Sequence, residues 1–167
     1  MCPKRSQANA RRAKARRAFS LMELTSVIAI VGLLASMAYL KFGDSTFNTT
    51  TTDGFVRALV LDLRQARQRT ISTGDDHYVL LSRTSGVVTS YTLYRDPGGS
   101  AYVVDRPVQV PTGATVTTAT DQWTFDFDGS VGVGSGTGTI VVTGPFNTWT
   151  ITVYQATGAV KSAKVSI

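Results

Sequence analysis

Cysteine, histidine and glutamate occur once each in this chain, as Cys2, His77 and Glu23. A lone cysteine closes no disulfide within the chain, and with a lone histidine it leaves no Cys or two-histidine metal centre to build. Charged residues are also few, at 17% against 43% hydrophobic. That balance excludes a disordered chain, and the apolar residues are too interrupted for a polytopic membrane protein. At 167 residues the chain has room for one ordinary domain with a real core.

The formal net charge of +6 suggests a nucleic-acid partner until it is mapped. Seven of the 17 basic residues, Lys4, Arg5, Arg11, Arg12, Lys14, Arg16 and Arg17, fall in residues 1–18, which hold no acid. The remainder carries ten basic and eleven acidic residues, a net −1. A basic stretch directly before an apolar run is the start of an export or membrane-insertion signal, because excess Lys and Arg stay on the cytoplasmic side. The +6 therefore reads as a topological signal.

The apolar run is Phe19 to Leu40, 22 residues, and as a helix it is about 33 Å long, enough to cross a hydrocarbon core. Glu23 stands at its head. An intramembrane acid is costly and usually has a partner or a function, whereas a solvated Glu at a helix start needs neither. Spacing alone leaves both readings open.

Arg16-Arg17-Ala18-Phe19-Ser20-Leu21-Met22-Glu23-Leu24-Thr25, followed by the apolar run, resembles the type IV prepilin signature. The resemblance implies that a prepilin peptidase cuts between Ala18 and Phe19, that Phe19 is then N-methylated, and that Glu23, at the fifth position after the cut, pairs with the terminal amine of a neighbouring subunit. It departs from the family in having Ala18 where Gly is usual. The competing reading is an ordinary or twin-arginine signal, with Ser36-Met37-Ala38 before a cut near Tyr39, leaving a soluble exported β domain. Glu23 inside the run argues against it, as does Ala15 where a twin-arginine signal prefers Ser or Thr.

Residues 43–52, GDSTFNTTTT, are poor in helix formers and read by themselves as a linker or weak helix. Pilin-like proteins continue their first helix here, so a long helix with a soft spot is expected. In 53–73, Phe55, Leu59, Leu63, Ala66 and Thr70 recur at helical spacing, widened by Val56 and Val60. Asp53 is expected to cap this helix, Gly74 to end it, and Arg64, Arg67 and Arg69 to form a solvated face. From His77 onward the period is two, with eight short strand-like runs separated by turn signals. Trp123, Phe125 and Phe127 alternate onto one face.

The Gln65-Ala66-Arg67 helix end, the Phe125-Asp126-Phe127-Asp128-Gly129 turn and the terminal Thr157-Gly158-Ala159-Val160 run are similar to the globular region of GspH/FimT-type pseudopilins. The expected class is α+β, a long N-terminal transmembrane helix packed on an antiparallel β-sheet domain. Its parts are a basic leader (1–18), a transmembrane and assembly helix (19–42), a helix continuation with a soft Thr-rich segment (43–73) and the β domain (74–167). The resemblance implies a structural subunit of a type II secretion pseudopilus or, alternatively, a FimT/FimU-like minor pilin of a type IV pilus. Its partners would be the prepilin peptidase, other pilins or pseudopilins, and the inner membrane, with the β domain outside the cytoplasm.

No catalytic residue, metal or cofactor is expected. Gly132-Val133-Gly134-Ser135-Gly136-Thr137-Gly138 precedes a strand and reads as a flexible loop rather than a phosphate cradle. Asp75, Asp76, Asp121, Asp126 and Asp128 fit no EF-hand and read as turn carboxylates. DNA-binding relatives carry a Gly-Arg pair near the C-terminus, where this chain has Gly158-Ala159-Val160-Lys161. Only Lys161 and Lys164 remain for a weak, salt-sensitive contact, which weighs against DNA as a partner.

Overall fold

A computed structural model describes residues 20–132 and 138–166, with no side chains for 41–46. The leader, Phe19 and the middle of the glycine-alternating loop lie outside the described residues. The chain divides into two compact units, 1–41 and 42–167, each treated by itself.

Helix α1 runs from Leu21 to Thr73 without a break. Residues 43–52 are thus helical, not a linker. The Thr51 hydroxyl donates to the carbonyls of Phe47 and Asn48 at 3.1 and 3.0 Å, and Thr52 donates to Asn48 at 2.7 Å. Hydroxyls that could compete with the helix bond back into it instead. Asp53 caps nothing, because it lies within α1. Gly74 does end the helix, its N–H donating to the Thr70 carbonyl at 2.9 Å with φ +75°.

The seven stripe residues, Phe55, Val56, Leu59, Val60, Leu63, Ala66 and Thr70, are all buried, none more than 7% exposed. Two antiparallel sheets bury them, rather than one. The first contains β1 (Asp76–Thr84), β2 (Val87–Asp96), β3 (Tyr102–Val103), β4 (Val108–Gln109) and β6 (Gln122–Phe125). Its order is β3-β2-β1-β6, with β4 also on β2. The second runs β5 (Thr115–Thr117), β7 (Thr139–Thr143), β8 (Asn147–Val153), β9 (Val160–Ser166). Alternation puts Val79, Leu81, Leu93 and Trp123 of one sheet and Ile140, Val142 and Ile151 of the other into one core with the helix stripe. Each such side chain contributes about 1.5–3 kcal/mol by leaving water.

Phe127 departs from the expected alternation. β6 ends at Phe125, and Asp126 to Ser130 form a turn in which the Ser130 N–H donates to Asp128 Oδ1 at 2.8 Å. The turn swings Phe127 out to 77% exposure while Trp123 and Phe125 stay fully buried.

The arginines of α1 do not form a free solvated face. Arg64 Nη2 donates to the Val160 carbonyl at 3.1 Å, and Arg67 Nε to the carbonyls of Gly129 and Thr157 at 3.0 and 2.9 Å. Arg69 approaches Asp105 at 3.8 Å. Beneath Arg67 two backbone turns meet so closely that a Cβ on Gly158 would lie 2.0 Å from the Gly129 carbonyl oxygen. Gly158→Ala should therefore lower stability by about 2–3 kcal/mol, whereas Gly74→Ala, which meets nothing within 4 Å, should cost about 1 kcal/mol from its positive φ alone. Urea melts of the two variants check the difference, and equal losses would show that the backbone contact is not what requires Gly158.

Candidate functional site

At the start of α1 the N–H groups of Glu23 and Leu24 donate to the Ser20 carbonyl at 3.0 and 3.1 Å. Ser20 and Glu23 have the Ser-x-x-Glu spacing of a capping box, and Glu23 lies in the first turn, where the helix dipole favours a negative charge. Leu21–Leu40 is a 20-residue span of mean hydropathy 2.0 with none of it buried in the protein. It is about 30 Å long, the thickness of a hydrocarbon core. Its serine and threonine hydroxyls are already satisfied: Thr25 donates to Met22, Ser26 to Glu23 and Ser36 to Leu33, at 2.8 to 3.0 Å. Glu23 is then the only charged side chain that a membrane would have to accommodate. Ala18 and Phe19 lie outside the described residues.

Lys161 and Lys164 do not share a surface. They lie three apart on β9, so they project from opposite faces of the strand. Lys161 stacks over the Tyr154 ring at 5.5 Å. Lys164 bonds Asp53 Oδ2 at 2.6 Å and lies 5.3 Å from the Trp149 ring centroid. Trp149 Nε1 donates to the other oxygen, Asp53 Oδ1, at 2.7 Å. The Asp53 carboxylate thus ties α1 to β8 and β9. Burial pushes its pKa up, but the bonds from Lys164 and Trp149 outweigh that and hold it below its ordinary value.

His77 is 2% exposed. Its N–H donates to the Thr70 hydroxyl at 3.0 Å, and its ring Nδ1 lies 2.9 Å from the Asp75 carbonyl. It joins the end of α1 to β1 and faces no solvent. No group of three His, Cys, Asp or Glu side chains among the described residues could hold a metal ion.

Residues 56–158, more than half of the chain, match the family model of the type II transport protein GspH. The chain belongs to the GspH family. Membership carries the α+β pilin-like fold, a general pseudopilin role in type II secretion, and association with other pseudopilins and with the membrane. No curated protein and no solved structure matches the chain. The matched region begins after the apolar span, so the family assignment and the signature around Glu23 rest on separate stretches of sequence.

Two polar contacts had no local signal in the sequence. One is the Asp53 tie to β8 and β9; the other is the 2.8 Å bond from Tyr91 Oη to Asp62 Oδ2, which joins α1 to β2. Burial and the Asp62 carboxylate both push the Tyr91 phenol upward. The signs give opposite limbs to the pH dependence. A lowered Asp53 stabilises the fold above its ordinary value of 3.8 and loses that contribution as pH falls below it. A raised Tyr91 keeps its contribution below its ordinary value of 10.0 and loses it as pH rises further. Denaturant melts from pH 2.5 to 11, values on the order of the range these groups span, should show both losses. Asp53→Asn should shrink the acid part, to which the lowered Asp128 also contributes, and Tyr91→Phe the alkaline part, which it shares with the raised Tyr78.

Proposed function

We propose that this chain is a non-enzymatic pseudopilin processed as a prepilin. The peptidase cuts between Ala18 and Phe19 on the cytoplasmic side, Phe19 is N-methylated, and the apolar part of α1 stays on the mature chain as a single-pass inner-membrane anchor. The β domain lies outside the cytoplasm. On assembly into a short fibre, the same helix passes from lipid to contact with neighbouring helices, and Glu23 pairs with the Phe19 amine of the next subunit.

The observation that carries this reading is a single carboxylate in the first turn of an otherwise uncharged, wholly unburied span of membrane length. Alone in an apolar medium it is costly; beside an ammonium group it is far less so, and only one register between subunits provides that pair. Helix α1 also continues through Ser36-Met37-Ala38 without an extended segment of the kind a signal peptidase reads. The minor-pilin reading shares the N-terminal chemistry, but its DNA-uptake role has less support, since Lys161 and Lys164 point apart and Lys164 is engaged by Asp53.

N-terminal sequencing and intact mass of the chain recovered from membranes should give a methylated Phe19 start. A start near Tyr39 would overturn the proposal. Glu23→Ala should be cleaved normally yet assemble more than about tenfold less, because an ammonium left buried without its partner costs about 3–5 kcal/mol. Sedimentable fibre after overexpression measures it, and normal yield would refute the pairing role.

A further inference from the structure

Among the described residues strand β9 is the edge of its sheet and pairs only with β8. The Tyr154 N–H donates to the Ala159 carbonyl at 2.9 Å, so Lys161 and Ala163 also turn their backbones to β8, while Val160, Ser162 and Lys164 turn theirs outward. Among the described residues, Arg64 covers the Val160 carbonyl of that outward row. Beside the open edge runs an exposed strip of α1 comprising Arg57, Leu61 and Arg64, at helical spacing on one face. Leu61 is 57% exposed. Between strip and strand lies an open groove of about 320 Å³, where Ser162 is too small to fill the space over Val56, Val60 and Trp149. A second space of about 420 Å³ continues it past Arg64 towards Gly158.

We propose that this groove receives an extended, acidic segment of a partner polypeptide, added as a further strand on β9. The open backbone row supplies donors and acceptors in strand register, which a polypeptide can use and a phosphate backbone cannot. Arg57 and Arg64 lie about 10 Å apart along the helix axis, near the 13 Å or so between residues i and i+4 of a strand. The matching pattern is acidic, any, apolar, any, acidic. The apolar side chain sits over Trp149 at Ser162, and the two carboxylates meet Arg57 and Arg64. The proposal goes beyond the anchor and processing reading and does not depend on it.

The probe is a fluorescein-labelled peptide, Thr-Glu-Thr-Leu-Thr-Glu-Thr, titrated into the full chain in non-ionic detergent. Saturable polarisation is expected, and an unlabelled copy should change the fluorescence of Trp149; Trp123 is fully buried and gives no response. Arg57→Glu, on the exposed helix surface, and Ser162→Tyr, which fills the groove, should each weaken binding at least about tenfold while the circular-dichroism melt stays unchanged. The proposal is overturned if the peptide does not bind, if Lys in place of both Glu binds equally, or if a copy N-methylated on alternate amides binds equally in both registers. It is also overturned if an oligothymidylate, and not the peptide, occupies the groove.

Discussion

The fold depends on one apolar stripe. From Phe55 to Thr70, α1 presents a single face that water disfavours and that no second helix among the described residues covers. A single sheet of the short strands present here covers only part of such a stripe, so the chain uses two. Trp123, Phe125 and Leu93 come from one side and Ile140, Val142 and Ile151 from the other. The remaining contacts between helix and sheets are polar and lie around this core. Asp53, Asp62, Arg64 and Arg67 each reach from the helix to a group on the β domain: the Trp149 ring nitrogen, the Tyr91 hydroxyl, and the carbonyls of Val160 and Gly129. Such bonds add about 1 kcal/mol each, but together they set how far the helix can rotate or slide on its apolar face.

Periodicity was enough to identify the parts whose environment is local. The helix stripe occupies the core at each of its seven positions because burial along one helix is a matter of angle, and angle follows from spacing. Most strands likewise fall on the period-two runs, with the two-residue turn Ser85–Gly86 between β1 and β2, but the run 101–110 divides into β3 and β4, and β2 is buried on both faces from Ser90 to Leu93. What spacing could not convey was anything decided by a distant partner. Asp53 has the residue type and position of a helix cap, yet α1 passes through it, because Thr51 and Thr52 satisfy their hydroxyls within the helix and Thr52 is buried. Phe127 continues the alternation of Trp123 and Phe125 in sequence, but the Asp126–Ser130 turn bends the backbone before it. Arg64 and Arg67 look solvated in a list of residues; their acceptors lie more than sixty positions away.

The distribution of cations gives the two regions different roles. In 1–18 they stand without any acid, the charge pattern expected of a topological signal at a membrane. In the β domain Arg83 bonds to Asp121, Arg95 to Asp75 and Lys164 to Asp53, and Lys161 lies over the Tyr154 ring. A surface whose cations are so occupied attracts polyanions weakly, since a phosphate must compete with a partner already in place. On α1, Arg57 borders the apolar floor beside Leu61 rather than a flat basic face.

The same contrast between paired and unpaired charge separates two carboxylates of α1. Asp53 has two donors within the chain and a depressed pKa, so its charge is satisfied before any partner arrives. Glu23 has the dipole of its own first turn and a span of uncharged residues beyond it. A helix dipole is worth at most about 2 kcal/mol to a carboxylate, less than the cost of leaving that carboxylate unpaired in an apolar medium. An acid in this position is therefore tolerable at a membrane surface and unfavourable within a dry bundle, unless the bundle brings a cation to it. On the proposed processing, a new subunit would enter with a free terminal amine four residues upstream of its own Glu23 and supply that cation to its neighbour, and such a pair would select one axial step over its alternatives without any contribution from the β domain.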